Sequence, residues 1–381
     1  MANTLGVYNP QFYAQEALIQ LENALGIASR VHLGYDEERR IFGKGDTINI
    51  RKPSVFTVND APSTAEDVAT ETTVLTLDQW KEVKFKLSDK ELSFTGERIV
   101  QDHIRPQAYA LANKIDQDLA ALYKDIPWFV DASGTGTAAD LADTRKELFN
   151  LGVPLNDPGR VHMMLDGIQE SKFLQNSAFA QQQGAGDTGV TTQRVGHLGT
   201  KYGFETFANQ NVQTHTKGTA SVTALLTNGT PAKGATTANL DAAAVTGTLV
   251  PGDSFVIAGN TQRYAVTALN TAASNAFTGV TFVPGLAAAP GDGAAVTVSL
   301  DDHTASLGFH RNAFALAMAK LPDELPRALG AQVASVQHPS SGVALRSRLY
   351  YVGDSSEVHV AMDVLYRVKT LDPNLGCRLR G

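Results

Sequence analysis

The chain has 381 residues, 43% hydrophobic and 19% charged, which is enough for two or three soluble domains with substantial cores. A net charge of -7 argues against a surface that grips phosphates, and one cysteine, Cys377, excludes an intrachain disulfide or a thiolate zinc cluster and fits a reducing compartment. The start, MANTLGVYNP, lacks the basic and apolar regions of a signal peptide, and no run approaches the roughly 20 apolar residues of a membrane span, so a soluble cytoplasmic product is expected.

Asn9 and Pro10 read as the N-cap and first position of a helix, and Ala14, Ala17, Leu18, Leu21, Ala24, Leu25 and Ala28 follow at helical spacing. This narrow, alanine-rich stripe predicts an arm that packs closely on something larger. From Thr47, TINIRKPSVFTV alternates through Ile48 and Ile50 as far as Pro53, which suits an edge or a bend. KEVKFKL then puts Val83, Phe85 and Leu87 on one face and Lys84 and Lys86 on the other. The two segments are expected to pair as a long ribbon with a polar, acidic tip, NDAPSTAEDVATE. A lone ribbon is marginal in water, so its apolar face should rest on another chain. Val83, Phe85 and Leu87, with Leu18, Leu21 and Leu25 of the arm, are therefore the candidates for contact between subunits.

Glu97 to Ile104 and Pro106 to Tyr123 read as helix, kinked or divided at Pro106, with Ala108, Leu111, Ala112, Ile115, Leu119 and Leu122 on one side. Helical ADLADTRKELFNLG with Gly152 as its C-cap, a strand in RVHMML and a second helical stretch ending in the glutamines before Gly184 have the texture of an α+β domain. From Thr216 to Leu300 charge becomes sparse, and SFVIAG, RYAVTAL and AVTVSL lie between turns such as Gly252-Asp253, Pro284-Gly285 and Pro290-Gly291. These features predict an all-β insert, a small barrel or sandwich. SLGFHRNAFALAMAKLP resumes the α+β character, so the insert interrupts a domain.

Chemistry-bearing patterns are weak. Gly184, Gly186 and Gly189 in GAGDTG match the spacing of a dinucleotide loop, but a Gln-rich helix precedes them where a strand is needed, and a flexible loop is the expectation. Asp301, Asp302 and His303 read as a solvated turn, because adjacent side chains diverge and no second cluster completes a metal site. His162 and His310 read as packed or interfacial. Arg346, Arg348, Arg367, Lys369, Arg378 and Arg380 are offset by Asp354, Glu357, Asp363 and Asp372, which suggests ion pairs between subunits. There is no HExxH pair, nucleophile elbow or Walker loop, and the chain is expected to be no enzyme and to need no cofactor or metal.

Five segments together, ALIQLENALGIASRV followed by GDTINIRKP, HIRPQAYALANKIDQDLAALY, RVGHLGTKYGFETFANQNV, LGFHRNAFALAMAKLP and VALRSRLYYVGDSSEVHVAMDVLYRVKTLDPNLGCRLRG, resemble the major capsid (coat) proteins of tailed bacteriophages with the Hong Kong 97-type fold. The nearest group is the short-tailed phage coat proteins with an inserted β-domain. The resemblance implies an N-terminal arm over 1–46, an extended loop over a neighbour at 47–92 and a peripheral-domain spine helix within 93–127. It also implies an axial domain from 128–215 and 301–342, the insert at 216–300 and return strands at 343–381. The implied role is an icosahedral shell of pentamers and hexamers around double-stranded DNA, assembled in the host cytoplasm with a separate scaffolding protein and a portal at one vertex. Two other readings stand beside it: a β-rich tail protein or adhesin, suggested by the insert, and an enzyme using the GAGDTG loop.

Overall fold

The computed structural model describes residues 10–33, 47–51, 60–61, 72–88, 98–134, 136–157, 159–181, 186–221, 223–324, 328, 332–338 and 342–381. The chain forms two compact units, Met1–Asp116 with Ala315–Lys369, and Gln117–Phe314 with Thr370–Gly381.

The first unit is built on a five-stranded sheet in the order Phe314–Ala319, Glu357–Thr370, Ala344–Val352, Gln332–Gln337, with Gln79–Ser88 also paired to Glu357–Thr370. The helix Pro10–Ala24 packs on Gln332–Gln337 and Ala344–Val352. Ala14, Ala17, Leu18, Leu21, Leu25 and Ala28 are all buried. Asn9 lies outside the described residues. Small alanines do let this helix sit close to a sheet, but the sheet is the chain's own, and Leu18, Leu21 and Leu25 are buried within the chain. Past the helix end, the amides of Gly26, Ile27 and Ala28 donate to the buried Asp116 carboxylate at 2.7, 3.3 and 3.1 Å, which satisfies donors at the start of the 3-10 turn Ala28–Arg30.

The ribbon differs from expectation. Thr47–Arg51 pairs antiparallel with Thr72–Thr76, Ile48 opposite Leu75, while KEVKFKL belongs to the next strand and pairs with Glu357–Thr370, Val83 opposite Met362 and Phe85 opposite Val360. Ile48, Ile50 and Leu75 are buried within the chain. The tip lies almost wholly outside the described residues. Period-two alternation fixes which face a side chain takes, but not which strand lies beside it.

Arg98–Ala120 is one α-helix with Pro106 inside it, not two segments. Ile104, Ala108, Leu111, Ala112, Ile115 and Leu119 form its buried stripe. At Ala121–Asp125 the chain tightens to a 3-10 turn. The change from about 3.6 to about 3 residues per turn rotates the inward face, so Tyr123 is buried where Leu122 was expected.

The second unit holds a seven-stranded sheet in the order Phe129–Asp131, Gly376–Arg380, His303–His310, Val161–Leu165, Phe204–Ala208, Thr200–Lys201, with Thr214–His215 paired to His303–His310. Val161–Leu165 is the predicted RVHMML strand; it is buried along its whole length and runs parallel to Phe204–Ala208, which accounts for its continuous apolar sequence. The helix Ala138–Asn150 starts at a capping box between Thr137 and Asp140, and Gly152 just past its end has φ +76.

The insert is a closed six-stranded barrel: Thr237–Asp241, Ala276–Val283, Arg263–Val266, Ser254–Ile257, Ala295–Ser299, Leu225–Asn228. Alternate residues fill it, led by Phe255, Tyr264 and Phe282 with ring centroids 5.3–5.5 Å apart. Closure leaves no free strand edge. A fragment spanning 216–300 is accordingly expected to give dispersed amide signals and one cooperative melt on its own. A fragment that stays disordered at low temperature would make the barrel dependent on the rest of the unit.

Candidate functional site

Val83 and Phe85 are half-buried and Leu87 is buried. With Lys84, Lys86, His103, Pro106 and Gln107 they line an open groove of about 340 Å³ in the first unit. The Phe85 ring lies 5.4 Å from that of His103. This face is thus partly covered by the chain's own helix, while Lys84 and Lys86 stay on the wet side as expected. Lys86 pairs with Glu357 at 2.7 Å, and its hydrogen bond, followed by those from His359 and Ser355, holds the Glu357 carboxyl down at about 2.

The basic residues of the last segment find partners within the chain, where pairs between subunits were expected. Arg346 grips the fully buried Asp363 carboxylate with two nitrogens, Arg348 approaches it at 3.3 Å, and the Trp80 indole N–H donates to it at 2.9 Å. Arg348 also pairs with Glu82, Arg367 with Asp78 at 2.6 Å, and Lys369 donates to the Val74 carbonyl at 2.7 Å. These contacts tie Glu357–Thr370 to the base of the hairpin and to its neighbouring strand. In the second unit, Arg380 pairs with Asp131 and Asp301 and stacks 3.4 Å above the Phe129 ring. Composition shows that such charges balance; only the fold decides which carboxylate meets which cation.

The remaining motifs resolve without a catalytic centre. GAGDTG is not simply a loop, since Asp187–Val195 is a helix beginning inside it, with Gly186 at φ +61 as its N-cap. Among the described residues no strand precedes it, the previous element being the short helix Ser177–Ala180, so the strand that a pyrophosphate site needs is missing from them. His162 packs on Phe309 with its Nδ1 3.2 Å from Glu205, and His310 caps the turn Arg311–Ala313 by accepting from the Asn312 amide, so both are packed as expected. His303 departs from the solvated-turn expectation: Asp301 and Asp302 are exposed, but the histidine is buried at the start of a strand. Burial pushes the Cys377 thiol up to about 12, so it is an inert core group. Among the described residues no group of three or more His, Cys, Asp or Glu side chains could hold a metal ion, and no helix is long and apolar enough to cross a membrane.

The most concentrated polar arrangement lies where the chain enters and leaves the barrel. His215 contacts the Tyr123 hydroxyl at 3.2 Å and Asp253 at 3.1 Å, and the fully buried Arg378 donates to the Gly252 carbonyl at 2.9 Å. Gly252 has φ +103, and a Cβ there would stand 2.9 Å from the His215 ring, so both conformation and space require glycine. Only Gly252-Asp253 as a turn was legible in advance; the cluster joins four distant segments and has no local signature.

No protein-family model matches the sequence, nor does any curated protein. Among solved structures the chain is similar to one from Mycobacterium phage Che8, with a TM-score of 0.51 and 15% identity over 94% of this chain and 90% of that one. It is also similar to a chain in the capsid structure of the cyanophage P-SCSP1u, with a TM-score of 0.47 and 11% identity over 88% of this chain and 84% of that one. A chain from the asymmetric unit of the bacteriophage PhiM1 mature capsid gives 0.47 and 11% over 88% and 82%. At such identities likeness establishes fold alone, and the fold is the α+β Hong Kong 97-type that the sequence implied, extending over nearly the whole chain.

Proposed function

We propose that the chain is the structural subunit of an icosahedral shell enclosing the double-stranded DNA of a tailed phage. The observation that carries this reading is the Che8 likeness, which spans nine-tenths or more of both chains and so leaves little of either unaccounted for. In this role the subunit works by contact with copies of itself as pentamers and hexamers, with a separate scaffolding protein during assembly and a portal at one vertex. The groove beside Val83 and Phe85, which the chain's own helix covers only in part, is the contact candidate. A net charge of -7 suits a wall that encloses DNA without gripping it.

Shell contacts are individually weak and gain strength by multiplicity. Light scattering by the purified protein should therefore rise sharply above a threshold concentration, with closed particles visible by electron microscopy and a lower threshold when scaffolding protein is added. A small fixed oligomer at every concentration, with scaffold present, would overturn the reading and favour the β-rich binding protein.

A further inference from the structure

Thr214–His215 and the start of His303–His310 are the two passes of chain between the sheet of the second unit and the barrel, and they pair antiparallel with His303 directly opposite His215. The imidazole centroids are 5.0 Å apart, and the two residues are only 3% and 7% exposed. The groups facing them come from several elements. Tyr123 and Asp253 hold His215, the Lys124 stem lies beside Gly252, and Lys217 donates its amide to Asp302. Gly376–Arg380 contributes Arg378, the buried neutral thiol of Cys377, and Arg380, itself paired with Asp131 and Asp301.

Asp253 gives His215 a carboxylate partner. His303 has no such partner. Its Nδ1 lies 2.8 Å from the Asp301 carbonyl oxygen and must carry the proton, while its Nε2 is buried with no hydrogen-bond partner. A proton added at Nε2 would have no acceptor and would face His215, Arg378 and Arg380. Burial is the main cause that holds the ring down at about 4, opposed by the Asp301 carbonyl and reinforced by Arg378, His215 and Arg380.

We propose that the His215–His303 pair is an acid-sensitive latch: with His303 neutral the neck is closed, and protonation of His303 breaks the pairing of the two passes and frees the barrel to move on the sheet. Opened to solvent, His303 takes its proton near the ordinary 6.5; closed, only near 4. Closure is thus fully favoured above 6.5 and is lost progressively as pH falls from 6.5 toward 4, by on the order of a hundredfold in the closed-to-open ratio.

Amide hydrogen exchange on the full chain tests this. The Ala305 amide, which donates to the Gln213 carbonyl at 3.0 Å across the neck, is the reporter, and the Phe282 amide inside the barrel, bonded to the Thr236 carbonyl at 2.9 Å, is the control. After correction for intrinsic rates, Ala305 should lose about tenfold or more of its protection between about pH 7 and pH 5 while Phe282 keeps its own. His303→Asn retains a donor toward Asp301 but cannot titrate, and should flatten that dependence. Protection at Ala305 that is constant with pH, or equally pH-dependent in the variant, overturns the latch. Should the variant fail to fold, the ring signals of His303 in the unmodified chain decide: titration near 4 to 5 together with neck opening supports the latch, and titration near 6.5 overturns it.

Discussion

Asp363→Ala is expected to lower the stability of the first unit by about 3–5 kcal/mol, the cost of removing one partner from a buried ion pair. The carboxylate is completely enclosed and accepts from Arg346 and Trp80, with Arg348 beside it. Without it, Arg346, only 5% exposed, keeps the Pro322 carbonyl as a hydrogen-bond acceptor and the Trp80 ring beside it, but no carboxylate at hand. Urea unfolding followed by circular dichroism should show a large drop in midpoint. Trp80→Phe, which removes a single hydrogen bond from an exposed ring, should cost only about 1 kcal/mol. Equal midpoints for Asp363→Ala and the parent chain would mean that the arginines find other partners and that this network does not hold the sheet.

Phe282→Ala should remove about 3–5 kcal/mol from the barrel, the range for deleting a buried aromatic side chain. Phe282 touches both other rings of the aromatic trio, so the cavity opens at the centre of the core, where a closed barrel has little freedom to collapse. A domain of this size has a margin of only about 5 kcal/mol or somewhat more. Limited proteolysis should therefore cut between residues 225 and 299 in the variant at 37 °C while the sheet of the first unit stays protected. Resistance equal to the parent chain would show that the neck and the sheet below supply most of the barrel's stability.

These two sites mark the boundary of what the sequence could tell. The barrel was legible because its strands are local, its turns carry Gly and Pro, and its composition departs from its flanks at both ends. RVHMML was legible because a strand buried on both faces needs no alternation. The partner of KEVKFKL was not, since the pattern names an apolar face while the strand beside it lies at Glu357–Thr370. The same holds for Leu18, Leu21 and Leu25: a stripe shows that something covers it, and only the fold shows that the cover is the same chain. His303 was hidden for a related reason, because its surroundings come from His215, Arg378 and Arg380, and nothing in DDH announces them.

Gly376–Arg380 occupies an interior position in its sheet, between Phe129–Asp131 and His303–His310. During synthesis the first of these neighbours leaves the ribosome long before the strand that must separate it from the second. At roughly 5–20 residues per second, Phe129–Asp131 waits on the order of ten seconds or more for its partner. The first unit is held open in the same way, since among the described residues Gln79–Ser88 pairs only with Glu357–Thr370. Neither sheet therefore closes before residues 357–380 have been made, and a shorter nascent chain has no finished sheet to offer its neighbours on the polysome. Order of emergence thus separates folding from assembly in time.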